Sequence, residues 1–164
     1  MPVTMAVIDP VEMSIRLGTA LVLAGLLGLN RDLHNKPAGV RTHGLVALGA
    51  ALITLVSIQL APAEPGTGDA VIRIIQGVIT GIGFLGGGVI LHGMAESEVR
   101  GLTTAASLWL VAGIGIACGA GLWVPAFLTA GLALVVLIVG GRIERAVHRL
   151  LDRASPRDAN SDPQ

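Results

Sequence analysis

The chain has 164 residues, enough for one domain, and 52% of them are hydrophobic while only 13% are charged, against about 25% charged in soluble domains. Eleven basic and eleven acidic residues cancel, so no bulk electrostatic case exists for a nucleic-acid partner. A single cysteine, Cys118, excludes an internal disulfide and a cysteine-rich metal site.

The deficit of charge predicts lipid as the main solvent. Crossing a bilayer takes about 20 mainly apolar residues, and five runs of that kind occur, at about 10–29, 42–60, 70–91, 102–118 and 122–140. The predicted fold is therefore all-α and polytopic. A transmembrane domain covers 10–140, a basic amphipathic extension covers 141–153, and a disordered tail covers 154–164. The extension, "GRIERAVHRLLDR", places Ile143, Val147, Leu150 and Leu151 on one helical face, as expected of a helix lying at a membrane surface.

Span one opens with Asp9 in N-cap position and Pro10 at the first helical residue. The sequence before it has no basic residue and so does not read as a secretory signal. Arg16 follows Glu12 by four residues, and Arg73 of span three follows Asp69 by four. Acid before base at that spacing is the favoured order on a helix. The first reading of each is a snorkelling arginine neutralised by its neighbour, and the second is a charged outer vestibule.

The loop "NRDLHNKPAGVRTH" (30–43) is the densest polar segment, with Asn30, Arg31, Asp32, His34, Lys36, Arg41, Thr42 and His43. Its cations read first as topology determinants. They read second as an anion- or partner-binding inner face, completed by Arg100. His43 reads first as a hydrogen-bonded structural residue and second as a ligand or proton relay.

Span three contains "ITGIGFLGGGVI", with small-xxx-small spacing at Gly77/Gly81 and Gly83/Gly87 and further glycines at Gly86 and Gly88. Such spacing lets helix backbones approach where lipid offers no hydrophobic drive for association. Packing is the first reading of this stripe. The second is a helix broken near Gly86 that exposes backbone to an ion. In the next loop Glu96 and Glu98 read as a solvated cluster ahead of a hard-cation site. Thr103, Thr104 and Ser107 then carry hydroxyls into span four, able to bond back to helix carbonyls or across to a neighbour. Cys118 is an apolar filler, and Pro125 falls in the first turn of span five.

Nine of the eleven basic residues lie in the 30–41 loop, the 92–101 loop and the C-terminal tail, and none lies in the 61–69 loop. This asymmetry predicts the N-terminus outside and the C-terminus in the cytoplasm. An internal repeat is also visible. Gly25–Gly28 matches Gly83–Gly86 at an offset of 58, Arg16 matches Arg73 at 57, and Val40-Arg41 matches Val99-Arg100 at 59. The copies are separated by an even number of spans, so spans 1–2 and 3–4 are expected to form a parallel repeat.

No catalytic constellation is visible, no cofactor is expected, and the chain does not read as an enzyme. The middles of the spans hold no Asp or Glu, which argues against a carboxylate-driven pump or channel.

Three stretches together, "GLNRDLHNKPAGVRTHGLVALGAAL", "GVITGIGFLGGGVI" and "VRGLTTAASLWLVAGIGIACGAG", resemble the MgtC/SapB family of bacterial membrane proteins, over about residues 14–140. The matching motif residues are Arg31, Lys36, Pro37, Ala38, Gly39, Arg41, Thr42, His43, the span-three glycines, Arg100, Gly101 and Thr103 to Ala106. The resemblance implies an inner-membrane protein. Better-known members are linked to magnesium limitation and to survival in macrophages, and act on other membrane machinery, the F-type ATP synthase included, rather than moving magnesium themselves. Two departures stand out. The family usually has an acid where this chain has Asn30, with Asp32 as a candidate substitute. Longer members also carry a C-terminal cytoplasmic domain, where this chain shows only a short basic tail. The expected function is a regulator or adaptor whose partners are lipid and either another membrane protein or a second copy. The competing expectation is a transporter of magnesium, another cation or a small solute.

Overall fold

The computed structural model describes residues 8–60, 68–92 and 101–154. Five helices follow in order: α1 (Pro10–Leu33), α2 (Val40–Leu60), α3 (Gly68–His92), α4 (Leu102–Gly119) and α5 (Trp123–Ala154). Each contains a stretch long and apolar enough to cross a membrane, and no strand occurs among the described residues.

The helix boundaries follow from local chemistry. The Asp9 carboxylate accepts from Val11 N–H at 3.3 Å, and Pro10 starts α1. At the far end the chain reverses through Asn35 (φ 51°) and Ala38 (φ 57°), both left-handed, while His34 and Lys36 N–H groups donate to the Arg31 carbonyl. The Asp32 carboxylate then accepts from Val40 N–H at 3.0 Å, so the first amide of α2 is capped from the end of α1. Asp32 packs so closely on Gly39 that a Cβ there would overlap its carboxylate.

α1 and α2 form one hairpin and α3 and α4 another, and the two meet through α2 and α4. Along α1 and α2 the close approaches run from Gly28 against Val40 to Leu21 against Gly44, which makes the pair antiparallel. Between α2 and α4 they run from His43 with Ser107, through Ala47 with Gly115, to Ala51 with Gly119. Residue numbers rise together there, so α2 and α4 are parallel, the sense a parallel repeat requires. Exchanging the hairpins also exchanges the remaining neighbours, since α1 touches α4 and α2 touches α3. α5 lies outside this pattern, against α4 and α1.

The core is made of small residues. Ala20, Ala24, Ala47, Ala51, Val111, Cys118, Ala126 and Ala130 are buried, filled in by Leu23, Leu27 and Ile114. A Cβ at Gly115 would lie 2.9 Å from Ala47 Cα, and one at Gly119 would lie 3.0 Å from Ala51 Cα. This is backbone-to-backbone packing of the kind small residues allow. α4 is the central helix, with half of its span buried, whereas α3 buries 11% of its own.

Two expectations for α3 meet the structure here. The helix is continuous from Gly68 to His92, without unwinding at Gly86, so the broken-helix ion site is not formed. Among its glycines from Gly77 to Gly88 only Gly86 faces another helix, where an added Cβ would lie 3.4 Å from Ala105 Cβ. A Cβ at Gly77, Gly81, Gly83, Gly87 or Gly88 would meet nothing within 4 Å. The glycines that bring helices of this chain together are instead Gly28, Gly115 and Gly119. The amphipathic extension continues α5 as one helix through Ala154, and the rest of the expected tail lies outside the described residues.

Candidate functional site

At the end of the bundle where α1 finishes and α2 and α4 begin, polar side chains are buried among small ones. Arg31 occupies the last turn of α1 and is only 5% exposed. Its Nη2 donates to the Thr104 hydroxyl, in the first turn of α4. Its Nε is buried without a hydrogen-bond partner, and no carboxylate of the described residues lies within 4 Å of it.

Beside this pair, His43 is fully buried in the first turn of α2. Its Nδ1 lies 3.1 Å from the Gly39 carbonyl and its Nε2 3.2 Å from Ser107 Oγ. Ser107 Oγ in turn donates to the Thr104 carbonyl at 2.8 Å. The Gly39 carbonyl can only accept, so Nδ1 carries the proton of the neutral ring and Nε2 is left as an acceptor. The one Ser107 hydroxyl hydrogen then has two acceptors, His43 and Thr104. His43 is thus a hydrogen-bonded interior residue that ties α2 to α4.

The other residues singled out in the sequence divide between this cluster and its surroundings. Asp32 does not pair with Arg31, and its carboxylate accepts from Val40 N–H. Asn30 is half-buried, and its carbonyl meets His34 Nδ1 at 2.7 Å. Lys36, Arg41 and Thr103 are exposed around the cluster. Arg100, with Glu96 and Glu98, lies outside the described residues.

At the opposite end, Arg16 donates from Nε to Glu12 at 2.8 Å, as the i,i+4 spacing predicts, and from Nη1 to the Gly119 carbonyl at 2.9 Å. It therefore caps the C-terminus of α4, a role that its spacing from Glu12 does not announce. Arg73 is exposed and forms no ion pair with Asp69. Among the described residues no group of three His, Cys, Asp or Glu side chains is placed to share a metal.

The second recognisable surface is a groove between α2 and α3. It encloses about 530 Å³ and is lined by Val46, Gly49, Ile53, Ile74, Gly77 and Gly81, all without charge. Gly49, Gly77 and Gly81 account for its openness, since none has an atom within 4 Å of where its Cβ would be.

This fold and this site define a polytopic helical membrane protein with a buried polar cluster around one arginine at one end. The chain belongs to the MgtC family, whose model matches residues 17–146. It is 41% identical over 138 residues to an uncharacterized protein of Haemophilus influenzae, covering 82% of this chain and 58% of that one. It is 39% identical over 147 residues to Protein SrpB of Synechococcus elongatus, covering 84% and 79%. It is 48% identical over 103 residues to Protein MgtC of Salmonella typhimurium, covering 62% and 41%. The chain thus spans little more than half of the first of these relatives and less than half of MgtC. No solved structure matches it.

Proposed function

We propose that the chain is a regulator or adaptor of other membrane machinery in the bacterial inner membrane, with its N-terminus outside and its C-terminus in the cytoplasm. The observation that carries this reading is the state of α3. Of its described residues only Ile82 and Gly86 are buried, Phe84 is 83% exposed, and a Cβ at five of its glycines would meet nothing within 4 Å. A small-residue face that packs on nothing of its own is a surface on which a second helix can lie close. The groove between α2 and α3 extends the same apolar surface. The partner is a transmembrane helix of another protein or of a second copy. A link to magnesium limitation or stress follows from the family membership and the likeness to MgtC.

Cross-linking of the protein in its native membrane, followed by purification in mild detergent, tests this. A stoichiometric membrane partner or a second copy is expected, lost in Gly77→Leu and Gly81→Leu. Recovery of the chain alone from cross-linked membranes would sink the reading. The transporter alternative draws on the parallel hairpins but loses the broken third helix it leaned on. Ligand-dependent flux in liposomes holding only this protein would reinstate it.

A further inference from the structure

We propose that Arg31 is the anchor of an oxyanion site for a phosphate group, closed on one side by Thr104 and the start of α4. This inference stands apart from the adaptor reading and rests on different residues.

A guanidinium removed from water needs a counter-charge or a full set of acceptors. Arg31 has neither. Its Nε and Nη2 form the side-on edge of the guanidinium, the edge that holds oxyanions bidentately. One donor of that edge is taken by a neutral hydroxyl, Thr104 Oγ1, and the other, Nε, is buried with no partner. Among the described residues no acid supplies the missing charge. The 30–43 segment holds Arg31, Lys36 and Arg41 against one acid, Asp32, which accepts from Val40 N–H and forms no ion pair with Arg31.

The helix starts add to the donor set. α2 begins with its first amide capped by the Asp32 carboxylate. α4 begins at Gly101, which has φ 89° and no capping side chain. An uncapped helix N-terminus offers amide donors and a positive dipole end to an anion, and here it lies beside the unfilled edge of Arg31. A guanidinium edge, a hydroxyl and free amides together suit a group with several anionic oxygens, which is a phosphate rather than a carboxylate. The exposed Lys36 and Arg41 raise the local concentration of anions around the site. The phosphate comes from solution or from a phospholipid headgroup, since both present the same oxygens.

The test uses the full chain in nanodiscs. In discs of zwitterionic lipid, inorganic phosphate is titrated calorimetrically. In discs containing phosphatidylglycerol, the lipid retained per chain is counted by native mass spectrometry. One saturable equivalent is expected in one arm, and that arm names the source. Arg31→Lys, which keeps the charge but loses the fork, should weaken binding at least tenfold. Arg31→Met should abolish it, and Thr104→Val should weaken it, with helix content by circular dichroism unchanged. Absence of saturable binding in both arms, or binding that Arg31→Met leaves intact, overturns the proposal. If Arg31→Met does not fold, wild-type binding by both Arg31→Lys and Thr104→Val overturns it equally.

Discussion

Single side chains do two kinds of work at the ends of this bundle. Arg16 is shared between Glu12 and the Gly119 carbonyl, so it neutralises an acid and caps a helix at once. Replacing it with Met removes a charge-assisted hydrogen bond, and such bonds contribute about 1.5–3 kcal/mol. Arg16→Met should therefore lower the unfolding free energy by about 2 kcal/mol, read by denaturant titration in detergent. Arg73→Met, which breaks no ion pair, should change it little. Asp32→Ala removes the cap from Val40 N–H and should be about 1 kcal/mol less stable, the usual effect of losing such a residue. The same assay reads that loss. Only part of this was legible in the sequence. The Glu12–Arg16 pair is local, and helical spacing reveals it. The cap on Gly119 and the Arg31–Thr104 bond join distant segments, and nothing in the spacing of either residue announces its partner.

At the level of the helix, hydrophobic run length was a good guide. The fourth run, read as 102–118, became α4 over Leu102–Gly119. The fifth became longer than its span, since the helix runs on through the amphipathic extension to Ala154. Glycine spacing was a poorer guide. Small-xxx-small repeats occur in both α3 and α4, but spacing reports only that a backbone can be approached. It does not say whether a helix lies opposite. Gly115 and Gly119 have Ala47 and Ala51 opposite, whereas Gly83 and Gly88 have nothing. The two sets should therefore respond with opposite sign. Gly119→Leu should cost about 1–3 kcal/mol by forcing α2 and α4 apart. Gly83→Ala should leave the stability of the isolated chain unchanged or raise it by up to about 1 kcal/mol, through better helix propensity. A clear loss in Gly83→Ala would mean that the α3 face is packed against another chain under the conditions of the assay.

For the whole molecule, the two hairpins make a nearly self-consistent unit, and α5 breaks its balance. α5 covers the α1–α4 side, while the corresponding α2–α3 side keeps its open groove. The fold is thus symmetric in its first four helices and asymmetric in what it leaves uncovered. The distribution of lysine and arginine underlies the proposed orientation, which is directly testable. A cysteine at Asp9 should react with a membrane-impermeant thiol reagent applied to intact cells, and one at Lys36 should react only after the cells are opened. The reverse pattern would invert the topology. Cys118 is buried in the core and should leave the background unlabelled.

The bond from Arg16 to Gly119 also has a meaning in time. The two residues are 103 positions apart, so Arg16 enters the membrane long before the carbonyl it will cap has been synthesised. Until then Glu12 is its sole charged companion, and Arg31 likewise waits for Thr104, 73 positions later. The first hairpin is therefore an unfinished object during translation, carrying two arginines that each still lack a hydrogen bond to the fourth helix. A nascent chain arrested before that helix should be recognised by membrane quality control and degraded, while one released just after it should survive.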